Sequence, residues 1–250
     1  MGEEFRQFYR YQLSDLAKSR VFNFTESRNL KFYHFTSSTN LTSILQRGLY
    51  PRRLIPANAH GVEFGDALRV SLHGATCLSV GWPNYKMMAS KSLPVDPCAK
   101  FVILELDPAF LIQTNWLAFP TNSSRLEITE ALKVNPKQFA ASGGLAKLFA
   151  DNKKTRLGRL AKRGELMLGS GDPTDPQAEI AVDDIIEPYW INAIFIGSTT
   201  MAKQVAGLLP DTSWQSKLTF DPYRFGPRQD YTFWKNDSLK FPIESKDESD

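Results

Sequence analysis

The sequence is poor in the residues from which disulfide-stapled scaffolds and membrane spans are built. It contains two cysteines, Cys77 and Cys98, with no Cys-x-x-Cys spacing. A disulfide framework is therefore excluded, and free thiols are expected. No apolar run approaches the roughly 18 residues of a membrane span, and the first residues, MGEEFRQFYRYQ, lack the apolar segment of a secretory signal. We expect a cytoplasmic protein with no membrane partner.

Histidine is also scarce, and the common catalytic signatures are absent from the sequence. The three histidines are His34, His60 and His73, and none has the spacing of a zinc site. The chain has no Gly-x-Ser-x-Gly, no P-loop signature and no Gly-x-Gly-x-x-Gly. Serine hydrolase, P-loop and classical dinucleotide-binding interpretations lose their usual support. We expect neither a metal nor a prosthetic group.

What is present is the composition of an ordinary globular domain. The 250 residues are 42% hydrophobic and 23% charged, and the formal net charge is +3. This weak basicity permits a nucleic-acid partner without requiring one. Because no repeat and no linker divides the chain, we expect one α+β domain. It would comprise an N-terminal helical extension at 1–30, a core at 31–210, and a C-terminal aromatic and basic segment with an acidic tail at 211–250.

Local patterns predict strands and helices along this domain. Apolar runs and alternations predict strands at 31–36, 76–80, 101–106, 178–182 and 191–196. Capping residues followed by helical apolar spacing predict helices that begin after Thr39, Asn84 and Thr200, and Gly48 would end the first of them. Stretches with proline and glycine predict a long loop at 50–74 and a polar, irregular middle at 120–175.

Four segments of the sequence, taken in order, resemble one known family. The first is Tyr-His-Phe-Thr at 33–36 with Asn40 and the following helix, and the second is Arg69 with Cys-Leu-Ser-Val-Gly-Trp-Pro-Asn-Tyr-Lys-Met-Met at 77–88. The third is Phe-Pro-Thr-Asn-Ser-Ser at 119–124, and the fourth is Asp-Pro-Thr-Asp-Pro-Gln-Ala-Glu-Ile at 172–180. Together they resemble the DarT family, toxin enzymes that transfer ADP-ribose from NAD onto bases of nucleic acid. The resemblance implies an ADP-ribosyltransferase fold, with a split β-sheet core and flanking helices, and NAD+ as co-substrate.

The chemistry that this resemblance implies needs a carboxylate. Breaking the bond between nicotinamide and ribose leaves positive charge at the ribose C1′, and the incoming base nitrogen must lose a proton. One carboxylate can stabilise the charge and accept the proton. Glu179 opens a predicted strand with apolar neighbours, where a carboxylate is either partnered or functional; the alternative is an outward-facing glutamate. We assign Glu179 as catalytic and expect its carboxylate to share a cleft with the imidazole of His34.

The resemblance also implies residues that hold NAD. His34 would hydrogen-bond the dinucleotide, although a lone histidine on a strand is often a core residue bonded to a backbone carbonyl. Arg69 joins Glu179 in the catalytic set, because a guanidinium pairs with diphosphate in a fork; Arg52 or Arg53 could take its place. The other candidates are Thr36, Asn40, Ser79 and Tyr85, with strand-end, helix-start or core positions as their structural alternatives.

The nucleic-acid partner would be single-stranded or flipped out, so that a base edge can be reached. In the family, the loop before the catalytic glutamate presents the target, and a basic tract precedes that loop here. Its candidate phosphate-binding residues are Lys153, Lys154, Arg156, Arg159, Lys162 and Arg163. A second tract at 223–234 interleaves aromatic and basic residues, and its rings could stack on unpaired bases.

The resemblance leaves the nucleic acid open and implies a further partner. DNA is the first expectation and RNA the second, because recognition of single strands by stacking is not tied to either sugar. Toxicity implies a cognate antitoxin protein, of macrodomain or another type, in a toxin–antitoxin or phage-defence setting. Two alternatives remain, which are a non-catalytic nucleic-acid-binding module with the same fold and an ADP-ribosyltransferase that acts on protein.

Overall fold

The computed structural model describes residues 13–55, 74–151, 153–155 and 158–235. The strands of these ranges are β1 Phe32–Ser37, β2 Thr76–Val80, β3 Phe101–Leu106, β4 Trp116–Phe119, β5 Lys153–Lys154, β6 Leu160–Ala161, β7 Glu179–Val182, β8 Ile191–Ile196 and β9 Leu218–Phe220. Seven of them form one sheet in the order β4-β7-β2-β1-β3-β8-β9, and β5 pairs with β6. All five predicted strands are present, with bounds that differ by at most one residue at either end.

Helices flank this sheet, which confirms the predicted α+β class. The α-helices of the described ranges are α1 Asp15–Arg28, α2 Leu41–Arg47, α3 Tyr85–Ser92, α4 Pro97–Lys100, α5 Leu126–Val134, α6 Ala141–Leu148, α7 Thr199–Ala206, α8 Thr212–Gln215 and α9 Tyr231–Trp234. Within those ranges, no helix has both the length and the apolar character needed to cross a lipid bilayer. The division of the chain into a core and two extensions stays a prediction.

Some predicted helix caps are confirmed and others are wrong. The side chain of Asn84 accepts a hydrogen bond from the Met87 amide and begins α3, and Gly48, at a φ of +92°, ends α2. Thr39 and Thr200 do not cap: the residue before α2 is Asn40, whose side chain makes no cap bond, and the residue before α7 is Ser198. Ser37 caps the 3₁₀ turn that leads into α2, and Ser198 caps α7 by accepting from the Met201 amide.

The prediction of an irregular middle at 120–175 is wrong in part, because α5 and α6 lie within it. The apolar pair Ile128 and Leu132 lies four residues apart and forms the buried side of α5. The Gly143-Gly144 pair suggested a loop, yet both glycines are helical. A Cβ at Gly144 would collide with the backbone carbonyl of Phe139, so the glycine allows a close approach of helix and chain.

The two faces of the sheet differ in their packing. One face is covered without interruption by a single apolar cluster that includes Phe32, Leu78, Leu104, Ile180 and Ile194 from five adjacent strands. Residues of α1, α2, α6 and α7 complete this cluster. We call it the closed face. Its strand side chains are almost all apolar and buried.

The opposite face carries two separate clusters, and we call it the divided face. At one end, Leu117, Phe119 and Ala181 of β4 and β7 pack against α5. At the other end, residues of β1, β3 and β8 pack against α3 and Phe225. The clusters are separated at β2 and at the beginning of β7, which is where polar side chains lie on this face.

The pairing of β1 with β2 is short. Their ladder joins Phe32 to Val80 and Tyr33 to Ser79, whereas β1 pairs with β3 along the whole of Phe32–Ser37. Beyond Tyr33, β1 follows β3 and β2 follows β7. The sheet therefore begins to part between β1 and β2 next to the polar gap of the divided face, in agreement with the expected split core.

Candidate active site

A row of directly opposed residues crosses the divided face at the gap between its two clusters. Tyr33 of β1 pairs with Ser79 of β2, Ser79 pairs with Glu179 of β7, and Glu179 pairs with Phe119 of β4. Opposed residues of a sheet point to the same face. The hydroxyl of Ser79 and the carboxylate of Glu179 are therefore neighbours in the gap, with aromatic rings at both ends of the row.

The carboxylate of Glu179 is buried and anchored. The residue is 4% exposed, and Oε1 accepts a hydrogen bond of 2.6 Å from the backbone amide of Ser123. The turn that presents this amide is formed by Asn122, whose side-chain oxygen accepts from the amide and the hydroxyl of Ser124. A charge-assisted bond from a backbone amide fixes the direction of a carboxylate, so Glu179 does not point into bulk solvent.

Two hydroxyl groups of this turn are buried without a hydrogen-bond partner in the described part of the chain. They are Oγ1 of Thr121 and Oγ of Ser123, in residues that are 1% and 0% exposed. Buried hydroxyls are normally satisfied, and leaving one unpaired is costly. These orphaned groups, next to a buried carboxylate, have the chemistry of a site that receives a polar ligand.

A second turn leads the chain into β7 and fixes the position of Glu179 from the other side. Asp175 accepts from the amide of Gln177 at 2.8 Å through its side chain and from the amide of Ala178 at 3.0 Å through its carbonyl. The Nζ of Lys153 lies 3.6 Å from Asp175 Oδ2 and also donates to the carbonyl of Pro120. Lys153 thus joins the two turns that flank the carboxylate.

The position of Lys153 disfavours the charged form of its ammonium group. Burial lowers the pKa of its ammonium group, and the charge of Arg125 adds to this, while the nearby carboxylate of Asp175 opposes it. Arg125 donates to the side chain of Gln177 at 3.3 Å and lies 4.0 Å from Asp175. The lysine is therefore a linking residue inside the protein, and its predicted contact with a phosphate stays a prediction.

His34 lies where the ladder between β1 and β2 has ended. Its Nδ1 is 3.2 Å from the carbonyl oxygen of Cys77, so the ring reaches across the gap between the strands. Burial lowers the pKa of the imidazole, and the bond to that carbonyl opposes the shift. This contact is the one expected of a structural histidine, and it engages Nδ1; a bond from His34 to NAD stays a prediction.

The register assigns His34 and Glu179 to opposite faces. His34 pairs with Leu104 of the closed face, and it follows Tyr33, which is on the face of Glu179. The parting of β1 from β2 begins between these positions. The expectation that both side chains share one cleft stays a prediction that depends on this parting.

The predicted NAD-binding pair Thr36 and Asn40 is joined by a hydrogen bond. Nδ2 of Asn40 donates to Oγ1 of Thr36 at 3.0 Å, and both residues are buried. Thr36 lies three residues beyond Tyr33 on β1, about 10 Å along the strand. The pair therefore fixes the end of β1 to the beginning of α2, at a distance from the row that contains Glu179.

Ser79 and Tyr85 are placed differently within the site. Oγ of Ser79 accepts from the amide of Asn84 at 3.0 Å, which ties the row to the beginning of α3. The ring of Tyr85 lies inside the apolar cluster with Met88 and contacts the ring of Tyr231 edge-on at 6.0 Å. Burial raises the pKa of its phenol. This is the core position that helical spacing also allowed, and contact of Tyr85 with NAD stays a prediction.

The predicted diphosphate-binding arginine cannot be placed. Arg69 lies outside the described residues, as do His60 and His73. Of the two alternatives, Arg53 donates to the side chain of Asp183 and to its carbonyl, both at 2.7 Å, and Arg52 is exposed. The assignment of Arg69 to the catalytic set stays a prediction.

The basic tract divides into side chains turned inward and side chains turned outward. Arg159 donates to the carbonyl of Phe233 and stacks on its ring, and Arg163 donates to the carbonyls of Gly169 and Asp172. Lys154 and Lys162 are exposed, and Lys162 pairs with Glu165. Arg156 lies outside the described residues.

The C-terminal aromatic segment is also largely built into the fold. Trp234 is buried, and its ring nitrogen donates to Asp230 at 2.7 Å. Arg224 lies over the rings of Tyr33 and Trp82, at 5.4 and 5.1 Å from their centres. Tyr223, by contrast, is 83% exposed and keeps a ring that could stack on a base.

Sequence reasoning missed the residues that orient Glu179. The segment 119–124 was recognised as a motif, yet Thr121 and Ser123 received no role, because a backbone donor leaves no signature in a side chain. Asp175 also received none, although its place in a Pro-rich turn just before Glu179 could have indicated one. Within the described ranges, no three histidine, cysteine or acidic residues converge as a metal site would require.

Comparisons with known proteins bear on the whole of this region. The sequence profile of the family described as "ssDNA thymidine ADP-ribosyltransferase, DarT" matches residues 33–226, which includes every element of the row described above. A search of curated proteins by sequence gives no match. The profile match thus covers more than half of the chain and includes Glu179, Ser123 and Asp175.

Solved structures give distant similarities. The structure of Thermus sp. 2.9 DarT in complex with NAD+ aligns with this chain at a TM-score of 0.48 and 15% sequence identity. The alignment covers 78% of this chain and 97% of the Thermus chain. The structure of the same Thermus protein in complex with ADP-ribosylated ssDNA aligns at a TM-score of 0.47 and 14% sequence identity, and the alignment covers 96% of its chain. Thermosipho africanus DarTG in complex with ADP-ribose is 13% identical with a TM-score of 0.45, and this chain spans half of its length.

Proposed function

The chain belongs to the DarT family of ssDNA thymidine ADP-ribosyltransferases, and from this premise we propose that it transfers ADP-ribose from NAD+ to a base of single-stranded DNA, with release of nicotinamide. The recognition made from the four motifs is confirmed by the family match, as is the class of enzyme. DNA, the first expectation for the nucleic acid, agrees with the family's description. RNA stays an alternative acceptor for the experiment to exclude.

The observation that carries the proposal is the buried carboxylate of Glu179. The carboxylate is 4% exposed and bonded to a backbone amide of a turn that also holds two buried hydroxyls without a partner in the described residues. It is placed for chemistry rather than for solvation. Its position is over-determined by two turns, one at Asn122–Ser124 and one at Asp175–Ala178. Such preorganisation is what electrostatic stabilisation of a developing charge requires.

In the proposed reaction, the bond between the ribose C1′ and the nicotinamide nitrogen breaks and a bond from C1′ to a base nitrogen forms. The carboxylate of Glu179 stabilises the positive charge that develops at C1′ and accepts the proton that the base nitrogen loses. Nicotinamide leaves as a neutral molecule, so the step needs no acid to expel it. No oxidant or reductant takes part.

The residues of the gap fit a dinucleotide in their chemistry. Buried hydroxyls on Thr121 and Ser123 can donate to ribose or amide oxygens, and Ser79 lies beside Glu179 in the same row. We assign further contacts with NAD+ to His34, Thr36 and Asn40, and a diphosphate contact to Arg69. These assignments are supported by the motifs that carry the resemblance.

We assign the acceptor strand to the side of the molecule where the chain enters β7. The exposed cations Lys154 and Lys162 lie there, and Tyr223 offers an exposed ring. Modification of DNA bases is toxic to a cell, so we also propose a protein antitoxin as a partner.

A labelled-NAD experiment tests the proposed function. The purified full chain is incubated with NAD+ labelled in the adenylate part and with separate pools of single-stranded DNA, RNA and denatured cellular protein, with Glu179→Gln as the blank. We expect label on single-stranded DNA, and on thymidine-containing oligonucleotides in preference to oligonucleotides without thymidine. Label on protein alone would replace the proposed acceptor. The absence of label in every pool, with no thermal stabilisation by NAD+, would leave a non-catalytic module.

A further inference from the structure

The loop that precedes Glu179 is held by three arginines from three distant parts of the chain. This loop, residues 169–174, contains two glycines, an aspartate and a proline, and it forms no helix or strand. Such a segment loses much conformational entropy when it is ordered. It runs directly into the Asp175 turn and then into Glu179, so a change in its conformation can reach the carboxylate through the backbone.

The first two arginines bind the beginning and the middle of the loop. Nη1 of Arg28, at the end of α1, donates to the carbonyl of Ser170 at 3.0 Å, and the hydroxyl of Ser170 returns a bond of 3.4 Å to the carbonyl of Arg28. Arg163 donates to the carbonyl of Gly169 at 2.8 Å and to that of Asp172 at 2.5 Å. Both guanidinium groups lie over the ring of Phe149, at 4.4 and 5.3 Å from its centre.

The third arginine binds the end of the loop from the C-terminal segment. Arg228 is 2% exposed and donates to the carbonyls of Pro173 and Thr174, at 2.8 and 3.3 Å. Its guanidinium is itself held by Asp230 through bonds of 2.7 and 2.6 Å. Asp230 in turn accepts from the ring nitrogen of Trp234 in α9, so the C-terminal segment is anchored to the loop.

Together the three guanidinium groups bind five backbone carbonyls among six consecutive residues. We call Arg28, Arg163 and Arg228 the arginine cage. Like charges brought together repel one another, and burial together with Arg28 and Arg228 lowers the pKa of Arg163, while Asp172 and Asp151 oppose the shift. Bringing the three guanidinium groups together therefore costs free energy, unless the carbonyl dipoles that they bind offset their mutual repulsion. Arg28 and Arg228 lie outside the residues 33–226 that the family profile matches.

We propose that the arginine cage holds the loop at 169–174 in one conformation and thereby positions the Glu179 carboxylate for transfer. The inference rests on the proposed function. The three arginines are positioning residues, because their guanidinium groups act on the carboxylate through the backbone that leads to it. Arg28 and Arg228, which lie in the two chain extensions, thus help to position the active site. Arg163 does so through the loop rather than by contact with nucleic acid.

The experiment compares Arg28→Met and Arg163→Met with Arg20→Met in the full-length protein. Methionine keeps an apolar side chain against Phe149 while it removes the bonds to the loop. Arg20 is an exposed arginine of the same helix as Arg28, and it serves as the control. Arg228→Met is a poor first variant, because it leaves the buried carboxylate of Asp230 without its cation, which can prevent folding.

Two readouts are needed, and one of them is independent of activity. Hydrogen exchange of peptides that span 169–179 should become about tenfold faster in both cage variants and stay unchanged in the control, since bonds that close the loop are lost. For folded enzyme, kcat for transfer should fall about tenfold while KM for NAD+ changes less than about twofold, because a displaced carboxylate impairs the reacting geometry. Arg28→Lys, which keeps one donor, should recover part of kcat.

The outcomes separate this inference from the proposed function. If hydrogen exchange at 169–179 is as slow in both cage variants as in wild type, the arginines do not hold the loop and the proposal is wrong. Faster exchange with an unchanged kcat overturns the positioning role. A fall in activity that merely follows the folded fraction, with kcat per folded molecule preserved, also overturns it. A wild-type enzyme that transfers nothing overturns the proposed function, and the exchange result alone then decides whether the cage holds the loop.

Discussion

The closed and the divided faces of the same sheet differ in whether apolar packing continues from strand to strand. On the closed face, apolar side chains from adjacent strands form one cluster with α1, α2, α6 and α7. On the divided face, packing stops between two clusters, and Ser79 and Glu179 occupy the interval. Alternation along each strand makes this possible, because neighbouring residues such as Glu179 and Ile180 serve opposite faces.

The difference teaches where buried polarity is tolerated. On the closed face the neighbours of a buried side chain are mostly apolar, whereas Glu179 has a backbone amide at 2.6 Å and a pair of organised turns. The closed face supplies the rigidity that this arrangement needs. If the comparison is correct, substitution of Glu179 in the gap of the divided face should change chemistry more than stability, and substitution of a buried apolar residue of the closed face should do the reverse.

The largest expected effect is the loss of transfer in Glu179→Gln. The amide oxygen can still accept from Ser123, so the fold should persist, but neither the negative charge nor the proton acceptor remains. We expect transfer from labelled NAD+ to fall by about 10²–10⁴-fold. Thermal melting should show little change.

The matched control for that variant is Glu105→Gln. Glu105 is a glutamate of β3 that also faces the divided side, where it accepts from Tyr33 and pairs with Lys31. Its transfer rate should stay within about twofold of wild type, because a glutamine oxygen can still accept from Tyr33 and only the pair with the 37% exposed Lys31 is lost, which contributes little. Equal losses in both variants would mean that any glutamate of this face matters, and the assignment of Glu179 would fail.

The next largest effect is on stability and belongs to the closed face. Leu104 is fully buried in its cluster, so Leu104→Ala should lower the free energy of unfolding by about 2–5 kcal/mol. Transfer per folded molecule should stay close to wild type. Denaturant titration and single-concentration kinetics measure the two quantities.

Leu126→Ala is the matched control for this substitution. Leu126 is 74% exposed, so its truncation should change the free energy of unfolding by less than about 0.5 kcal/mol. A large loss of activity per folded molecule in Leu104→Ala would break the separation between the two faces.

The five predicted strands could be located from the sequence, whereas the helices within residues 120–175 could not. The nearly continuous apolar run at 101–106, which only Glu105 interrupts, is recognisable because the central strands of a sheet are apolar on both faces. α6 was not recognisable, since its Gly143-Gly144 pair has the signature of a loop. The reason for Gly144, the nearby carbonyl of Phe139, is a tertiary contact that no local pattern contains.

The candidate site divides in the same way. Glu179 was singled out because its residue type and its motif agree, and the structure buries its carboxylate, while its catalytic role stays a prediction. The amide of Ser123 could not be predicted, because every residue but proline offers the same backbone donor. Lys153 shows the converse, since a lysine within a basic run looks solvated until its distance to Asp175 is known. Residue types predict chemistry, and only tertiary structure determines whether a cation faces a phosphate or a buried aspartate.

A smaller effect is expected at the boundary between the row and α3. Ser79→Ala removes the acceptor for the amide of Asn84, a residue that is itself buried. An unsatisfied buried donor should lower the free energy of unfolding by about 1–3 kcal/mol. Ser79→Thr keeps the hydroxyl, so its free energy of unfolding should stay closer to that of wild type than the alanine variant's does. Equal stability of the alanine and threonine variants would show that this bond does not tie α3 to the sheet.

The smallest effect is a pH dependence that comes from His34, on the closed face where β1 leaves β2. Burial lowers its pKa from the ordinary value of 6.5, so below pH 6.5 the unfolded chain binds a proton that the folded imidazole does not. The free energy of unfolding should therefore be fully retained above that pH. As the pH falls below 6.5 it should decline, by at most about 1.4 kcal/mol per pH unit for one proton.

Denaturant titrations of wild type and His34→Gln between pH 5 and pH 8 measure this contribution. His60 and His73 titrate in both proteins, so the difference between the two curves isolates His34. The curves should run parallel above pH 7 and converge as the pH falls, because only wild type loses stability through this ring. Parallel curves over the whole range would mean that the imidazole is solvated in the folded state, and the gap between β1 and β2 would then be open to water rather than filled by the ring.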